Sequence, residues 1–386
     1  MDLDLSDEQR LLKDSVDGLL NRRYPDLKAR QTLAREPKGY SAAIWKELAD
    51  QGLLAIPFSE DDGGIGGGAV ELMIVGEAIG RSLALEPYLA TVVLGGGLLR
   101  HAATPEQRTR LLPAVISGDT TLAFAHQEAQ SRYDLADVTV TAKGDVKNGY
   151  VLEGEKKVVL HGDSADKLIV SARISGDRRA PGGIGLFLVD AKAAGLSRLG
   201  YPTQDGQRGA DITLSGVKVA PEDVIGTPGS ALPAIERTVH EAIAFLAAEA
   251  VGAMDSLQEM TLEYVKTRKQ FGVAIGSFQV IQHRLVDMFT HLEQSKSMMY
   301  FAAMMAAEDD ATERARAMHA VKVQIGKSAR HIGQDAVQLH GGIGMTQEYK
   351  AGHYFKRLTM IELAYGNTDH HLRELARLGG LIPAAA

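Results

Sequence analysis

Arg268, Gln270 and Phe271, then Phe278 and Gln279, stand within one short stretch, RKQFGVAIGSFQ (268–279). A guanidinium can grip a diphosphate with two parallel bonds, an amide can donate and accept, and a phenyl ring can cover a flat base such as adenine. The same stretch also reads as a basic connector between helices. A second stretch, QLHGGIGM (338–345), sets Gln338 ahead of Gly341 and Gly342. Bare glycine backbone can approach a phosphate and aim N–H groups at it, although the pair also reads as the glycine stop of a helix. Two weaker patterns compete. The run GGIGGGA (63–69) follows SEDD where a dinucleotide fingerprint needs the end of a buried strand, so it reads as a flexible loop before a helix. His340, His353, His370 and His371 have no HExxH or comparable ligand spacing, so no metal site is expected.

The elements that carry these residues fall into three zones. In the first, Ser6 with Gln9 forms a capping-box pattern ahead of Leu11, Leu12, Val16, Leu19 and Leu20 on one helical face. A second helix holds Ile44, Trp45 and Leu48 and stops near Gly52, and another opens at Thr104 with Pro105 and Gln107. From about residue 119 the period becomes two, in TLAFAH, DVTVTA, GYVLEGEKKVVL, DKLIVSAR, GIGLFLVD and ITLSGVKV. These six short strands imply a sandwich or barrel. After Pro221 long helical patterns return, with Met298, Met299, Met304 and Met305 expected in the core of a bundle. The expected order is an N-terminal all-α domain (1–118), a middle β-barrel domain (119–226) and a C-terminal four-helix bundle (227–386).

Composition narrows the function classes. With 42 Lys and Arg against 49 Asp and Glu, the net charge of -7 offers no basic face for nucleic acid. The absence of cysteine excludes disulfide scaffolds, iron–sulfur sites and thiolate chemistry, and fits a cytoplasmic protein. The opening MDLDLSDEQRLL lacks the order of a signal peptide, and no apolar run is long enough to span a membrane.

The two candidate stretches, one long helix apart in a helix, β, helix chain, resemble the acyl-CoA dehydrogenase family over essentially the whole length. LSDEQRLLKDSVD at the start, EPYLATVVLGGGLLRH (86–101) and SRYDLADV (131–138) are similar, within that family, to the small subunit of pimeloyl-CoA dehydrogenase. The resemblance implies an α+β fold of the acyl-CoA dehydrogenase type and tetramers formed through the C-terminal bundles. It also implies FAD lying across a subunit boundary. A family Glu removes the α-proton of an acyl-CoA while the β-hydrogen leaves as hydride to the flavin, and an electron-transfer flavoprotein accepts the electrons.

Residue by residue, the resemblance splits. The group that reaches a neighbour's FAD is intact: Arg268, Gln270, Phe271, Phe278, Gln279, Gln338, Gly341 and Gly342. The group that holds the flavin ring and substrate is largely missing. The family's Thr-Glu-Pro segment reads HQEAQS (126–131), and its Trp-Ile-Thr reads Val158, Val159, Leu160, which cannot donate to the flavin. The Asp and Arg that meet acyl-CoA become His240 and Ile243, and the catalytic carboxylate becomes Tyr365 or, one residue on, Gly366. Tyrosine is a poor base, with an unperturbed pKa near about 10. Glu241 lies one residue from another place where some members carry their Glu, roughly 100° round the helix. Three functions follow as expectations. The first is the small subunit of an α2β2 heteromer, which lacks the Glu and contacts the ADP part of FAD. The second is a homomeric enzyme using Glu241 or another base. The third is a scaffold that touches no cofactor.

Overall fold

The computed structural model describes residues 5–381; Met1–Asp4 of the opening stretch lie outside the described residues. The chain separates into two compact units. One contains the chain up to Thr32, Gly68–Ala84 and everything from Ile243; the other contains Leu33–Gly67 and Leu85–Ala242.

The first unit is helical: α1 (Asp7–Arg23), α2 (Leu27–Leu33) up to the boundary, and α4 (Ala69–Ser82) join the C-terminal helices, while α3 (Ala42–Asp50) belongs to the other unit. The Ser6–Gln9 capping box is present, and Val16, Leu19 and Leu20 are the buried face of α1. Gln9 reaches Glu71 at 2.8 Å and Lys13 reaches Glu77 at 2.9 Å, which ties α1 to α4. The GGIGGGA run is the loop ahead of α4, with no strand before it.

The second unit packs helices against a sheet. In α3, Ile44, Trp45 and Leu48 are all buried, and the Trp45 indole donates to the Gly118 carbonyl at 3.0 Å. A buried π-helix at Leu89–Gly95 runs into α5 (Gly96–Ala102), and α6 (Pro105–Ile116) opens with the Thr104–Gln107 box.

The sheet comprises β1 (Leu122–Ala125), β2 (Thr141–Asp145), β3 (Gly149–Leu160), β4 (Lys167–Arg173), β5 (Ile184–Asp190), β6 (Leu196–Pro202), β7 (Arg208–Val219) and β8 (Val224–Ile225). Its order is β6-β7-β3-β2-β4-β5-β8, with β1 paired parallel to β4. Leu152, Leu168, Val170, Phe187, Ile212 and Leu214 fill its core. Strands β6 and β8 were not legible from alternation: β6 is an exposed edge carrying Arg198, Gly200 and Pro202, and β8 has two residues.

The C-terminal helices are α7 (Leu232–Thr267), α8 (Gln279–Ala306), α9 (Ala311–His340), α10 (Lys350–Leu363) and α11 (Thr368–Arg377), with a short hairpin β9 (Lys269–Gln270) and β10 (Val273–Ala274) between α7 and α8. The boundary between the units falls within α7. Gly80 and Gly252 let α4 and α7 touch backbone to backbone, since a Cβ at either would collide with a carbonyl of the opposite helix. Met299 lies in the core of these helices, whereas Met304 is exposed.

Candidate functional site

The helix that leads into the first stretch touches the second through Tyr264 and His340. Helix α7 stops at Thr267, and the β9–β10 hairpin reverses through Phe271 (φ 54) and Gly272 (φ 85), the paired positive φ of a tight hairpin turn. Arg268 is fixed in its backbone by bonds to Tyr264 O (2.8 Å) and from Ile275 N (2.8 Å), which leaves the guanidinium on the surface. Phe271 is 92% exposed and stands edge-on to Phe278 at 6.1 Å. Gln270, Gln279 and Gln338 are exposed as well.

At the end of α9, Gly341 adopts φ 64 and its N–H donates to the Val337 and Gln338 carbonyls. Its contribution to a bound diphosphate is therefore an absent side chain, with no donor to offer. Nothing lies within 4 Å of where a Cβ would stand on Gly341 or Gly342. The ring of Tyr264, one turn before Arg268, packs on His340, next to Gly341, at 4.5 Å, and its hydroxyl donates to the His340 carbonyl at 3.3 Å. All eight expected cofactor residues thus sit on segments that one contact joins, and an open cradle, a free guanidinium surface and an uncovered phenyl fit an ADP group.

Of the two segments expected at the flavin ring, HQEAQS is closed on itself and Val158–Leu160 is partly open. In HQEAQS, Glu128 is buried and pairs with the fully buried Lys156 at 2.7 Å. It also accepts from Thr139 N (2.8 Å), Val140 N (3.1 Å) and Gln130 Nε2 (2.7 Å). Lys156 donates further to His126 O (3.0 Å) and Ser171 Oγ (3.1 Å). Burial pushes the Glu128 carboxyl up, but Lys156 and the hydrogen bonds outweigh it and hold the pKa at about 2. Burial pulls Lys156 down to about 8 against the pull of Glu128, so the pair is ionised at neutral pH. His126 lies 2.8 Å from Ser171 Oγ, and burial with Lys156 nearby lowers it to about 3. Val158 is 47% exposed at φ 52, in a break of register between β3 and β7, an unusual conformation for a β-branched residue. Val159 is buried and Leu160 half-buried.

The two residues at the family's carboxylate position are also enclosed. Tyr365 takes φ 56, and desolvation pushes its hydroxyl well above the usual tyrosine range. Gly366 takes φ 120, and a Cβ there would stand 2.7 Å from His370 Cδ2 and closer still to His371 Nε2. His371 Nε2 lies 3.1 Å from the Tyr365 carbonyl, and Nδ1 lies 2.8 Å from His319 Nδ1. A carbonyl only accepts, so His371 carries its proton on Nε2 and takes the His319 Nδ1–H bond on Nδ1. The buried Lys322 ammonium donates to Ile361 O (2.7 Å), Glu362 O (3.1 Å) and Ala364 O (2.8 Å), closing the end of α10.

In the other unit, Glu241 has both oxygens engaged, by Arg100 at 2.5 Å and His101 at 2.8 Å. Burial raises its pKa, but the His101 bond and the charges of Arg100, His101 and Arg237 leave it below the ordinary value. His240 is half-buried and Ile243 is buried.

Sequence reasoning missed Tyr264, His340, Lys156, Lys322 and His371. Lys156 had a signal: it falls on the inward register of GYVLEGEKKVVL, beside the outward Glu155. The others act through packing or backbone carbonyls, which leave no pattern along the chain.

Three family models match in order: Acyl-CoA dehydrogenase, N-terminal domain (residues 6–119), middle domain (123–217) and C-terminal domain (232–379). The chain is 30% identical to the mitochondrial isovaleryl-CoA dehydrogenase of Solanum tuberosum over 84% of its own length and 79% of that protein. Among solved structures it is similar to the ChsE4-ChsE5 complex from Mycobacterium tuberculosis, with 26% identity, TM-score 0.88 and full coverage of both chains. It is also similar to PigA with FAD and proline, with 26% identity and TM-score 0.89 over 99% of this chain and 100% of that one.

Proposed function

Because the chain belongs to the acyl-CoA dehydrogenase family of FAD-dependent oxidoreductases, we propose that it is the smaller, non-catalytic subunit of a heteromeric member, in an α2β2 complex. A homologous large subunit supplies the Glu, the flavin-ring pocket and the acyl-CoA contacts for oxidation of acyl-CoA to trans-2-enoyl-CoA, with an electron-transfer flavoprotein as acceptor. Bound FAD supplies the hydride acceptor. This chain supplies grip on the ADP part of the partner's FAD: Arg268 to the diphosphate, Phe271 and Phe278 over the flat base, Gln270, Gln279 and Gln338 as amide contacts, and Gly341 and Gly342 as the open cradle.

The observation that carries this reading is the pair Tyr365 and Gly366, the two residues that fall at the family's base position, neither of them a carboxylate. Burial pushes the Tyr365 hydroxyl well above the usual tyrosine range, so it keeps its proton, and a side chain at Gly366 would run into the His371 imidazole. Glu241 does not replace the missing carboxylate, since a carboxylate held below its ordinary pKa by Arg100 and His101 is a weaker base than a free one. The pairing of two chains in the ChsE4-ChsE5 complex supports the heteromeric reading.

The test is FAD stoichiometry. Expressed alone, the chain should purify colourless; co-expressed with its large subunit, it should give a yellow complex with one FAD per pair. Arg268→Ala should lower the FAD content of that complex, whereas unchanged content would favour a scaffold. A yellow, active homotetramer from this chain alone would overturn the proposal.

A further inference from the structure

The Tyr264–His340 contact does more than bring two stretches together. His340 is 3% exposed, the last residue of α9 and the one before Gly341. Its ring lies between Tyr264, at 4.5 Å, and Tyr349, at 5.0 Å. Nδ1 stands 2.8 Å from the Ala336 carbonyl, which only accepts, so Nδ1 carries the proton and Nε2 is left with its lone pair. That Nε2 is buried with no hydrogen-bond partner. The Gly341–Met345 turn folds back on the same residue, because a Cβ on Gly344 would stand 3.0 Å from His340 Cβ.

We propose that His340 is a positioning residue for the cofactor: its neutral ring locks the Arg268 hairpin and the Gly341–Gly342 cradle into one register, and its protonation releases both. The inference rests on the reading that these two segments hold the ADP part of FAD. The titratable side chains packed on the ring are Tyr264 from α7 and Tyr349 from the turn before α10. Burial holds the imidazole below its ordinary pKa, against the Ala336 carbonyl, which favours the proton. A proton on Nε2 would therefore be a buried charge with no acceptor. The sign follows from the depressed value. The ordered arrangement is fully present above the unperturbed imidazole value of about 6.5 and weakens as pH falls below it. FAD retention by the complex should weaken with it, by at most about tenfold per pH unit for one proton.

The experiment measures FAD dissociation from the co-expressed complex, by flavin fluorescence after dilution, at pH 7.5 and 5.5. The wild-type complex should lose several-fold in affinity on acidification, up to about tenfold for one proton. His340→Phe keeps a ring between the tyrosines but cannot titrate, so it should hold FAD with little change between the two pH values. His340→Ala should weaken binding at both, and Arg268→Ala should weaken binding while keeping the wild-type pH dependence. A His340→Phe complex with the wild-type pH dependence, or a His340→Ala complex that binds FAD normally at pH 7.5, would overturn the assignment. If Arg268→Ala itself leaves FAD binding unchanged, the half-site reading fails instead.

Discussion

Substituting Gly366 by alanine tests whether the second of the two residues expected at the family's carboxylate position is sealed or merely empty. The new methyl would stand 2.7 Å from His370 Cδ2 and nearer to His371 Nε2, while carbon atoms pack best at about 3.5–4.0 Å. Forcing apart a well-packed site costs about 1–3 kcal/mol. An L-residue at φ 120 adds strain of about 1–3 kcal/mol. Displacing His371 also breaks its bond to the Tyr365 carbonyl, about 1 kcal/mol more. Together these give a loss of about 3–7 kcal/mol, a large part of the stability of a folded domain, about 5–15 kcal/mol. Urea denaturation followed by far-UV circular dichroism measures it. His371→Ala opens the space, so the double variant should be more stable than the sum of the single losses predicts, with a coupling in the range of about 0.5–3 kcal/mol. Gly366→Ala within about 0.5 kcal/mol of wild type, or strictly additive losses, would refute the reasoning. So would dehydrogenase activity gained by the isolated chain on Gly366→Glu.

Other perturbations follow from the buried charges. Burial lowers Lys322 to about 7, so between pH 7 and its unfolded value of about 10.4 the unfolded chain binds the extra proton and stability rises with pH. Its share is about 3 kcal/mol from pH 7 to 9.5, and Lys322→Met should remove that slope from a denaturation series; an unchanged slope contradicts the assignment. Lys156→Met strands a buried carboxylate and should cost about 3–5 kcal/mol, most of it recovered when Glu128 is replaced by Leu as well; a double variant less stable than Lys156→Met excludes that account. Glu241→Gln should destabilise by about 1–3 kcal/mol through the loss of Arg100's partner while turnover of the complex stays unchanged; abolished turnover with FAD still bound would identify Glu241 as the base.

What the sequence disclosed was local. Ser6 with Gln9 and Thr104 with Gln107 satisfy helix-end donors three residues away, so spacing alone reveals them. Six of the sheet's strands announce themselves because they alternate, as in β3 and β7, or run apolar, as in β1, β4 and β5, between turn residues. The networks were hidden by distance: Lys156 and Glu128 are 28 residues apart, and His319 and His371 are 52 apart. Lys322 was hidden for another reason. Its acceptors are backbone carbonyls, which every residue carries. Helix α9 uses cations this way repeatedly. Arg314 donates to Glu308 O, Arg316 to Leu378 O at 3.0 Å, and Lys322 to the end of α10, so one helix closes the ends of three neighbours.

On the proposed reading, the same distinction explains why one half of a shared cofactor site is kept while the other is not. Glu128, Lys156, Lys322 and His371 are buried and answer to the stability of their own chain. Phe271 touches Phe278 edge-on and is otherwise open. At 92% exposure it contributes almost no burial, and at φ 54 it carries strain that glycine would avoid. Arg268 and Gln338, also exposed, add little to the folded state. A strained, largely uncovered aromatic, an exposed arginine and two open glycines stabilise the isolated chain little. On the proposed reading, their energetic return comes from a partner's bound nucleotide, whose chemistry those residues match.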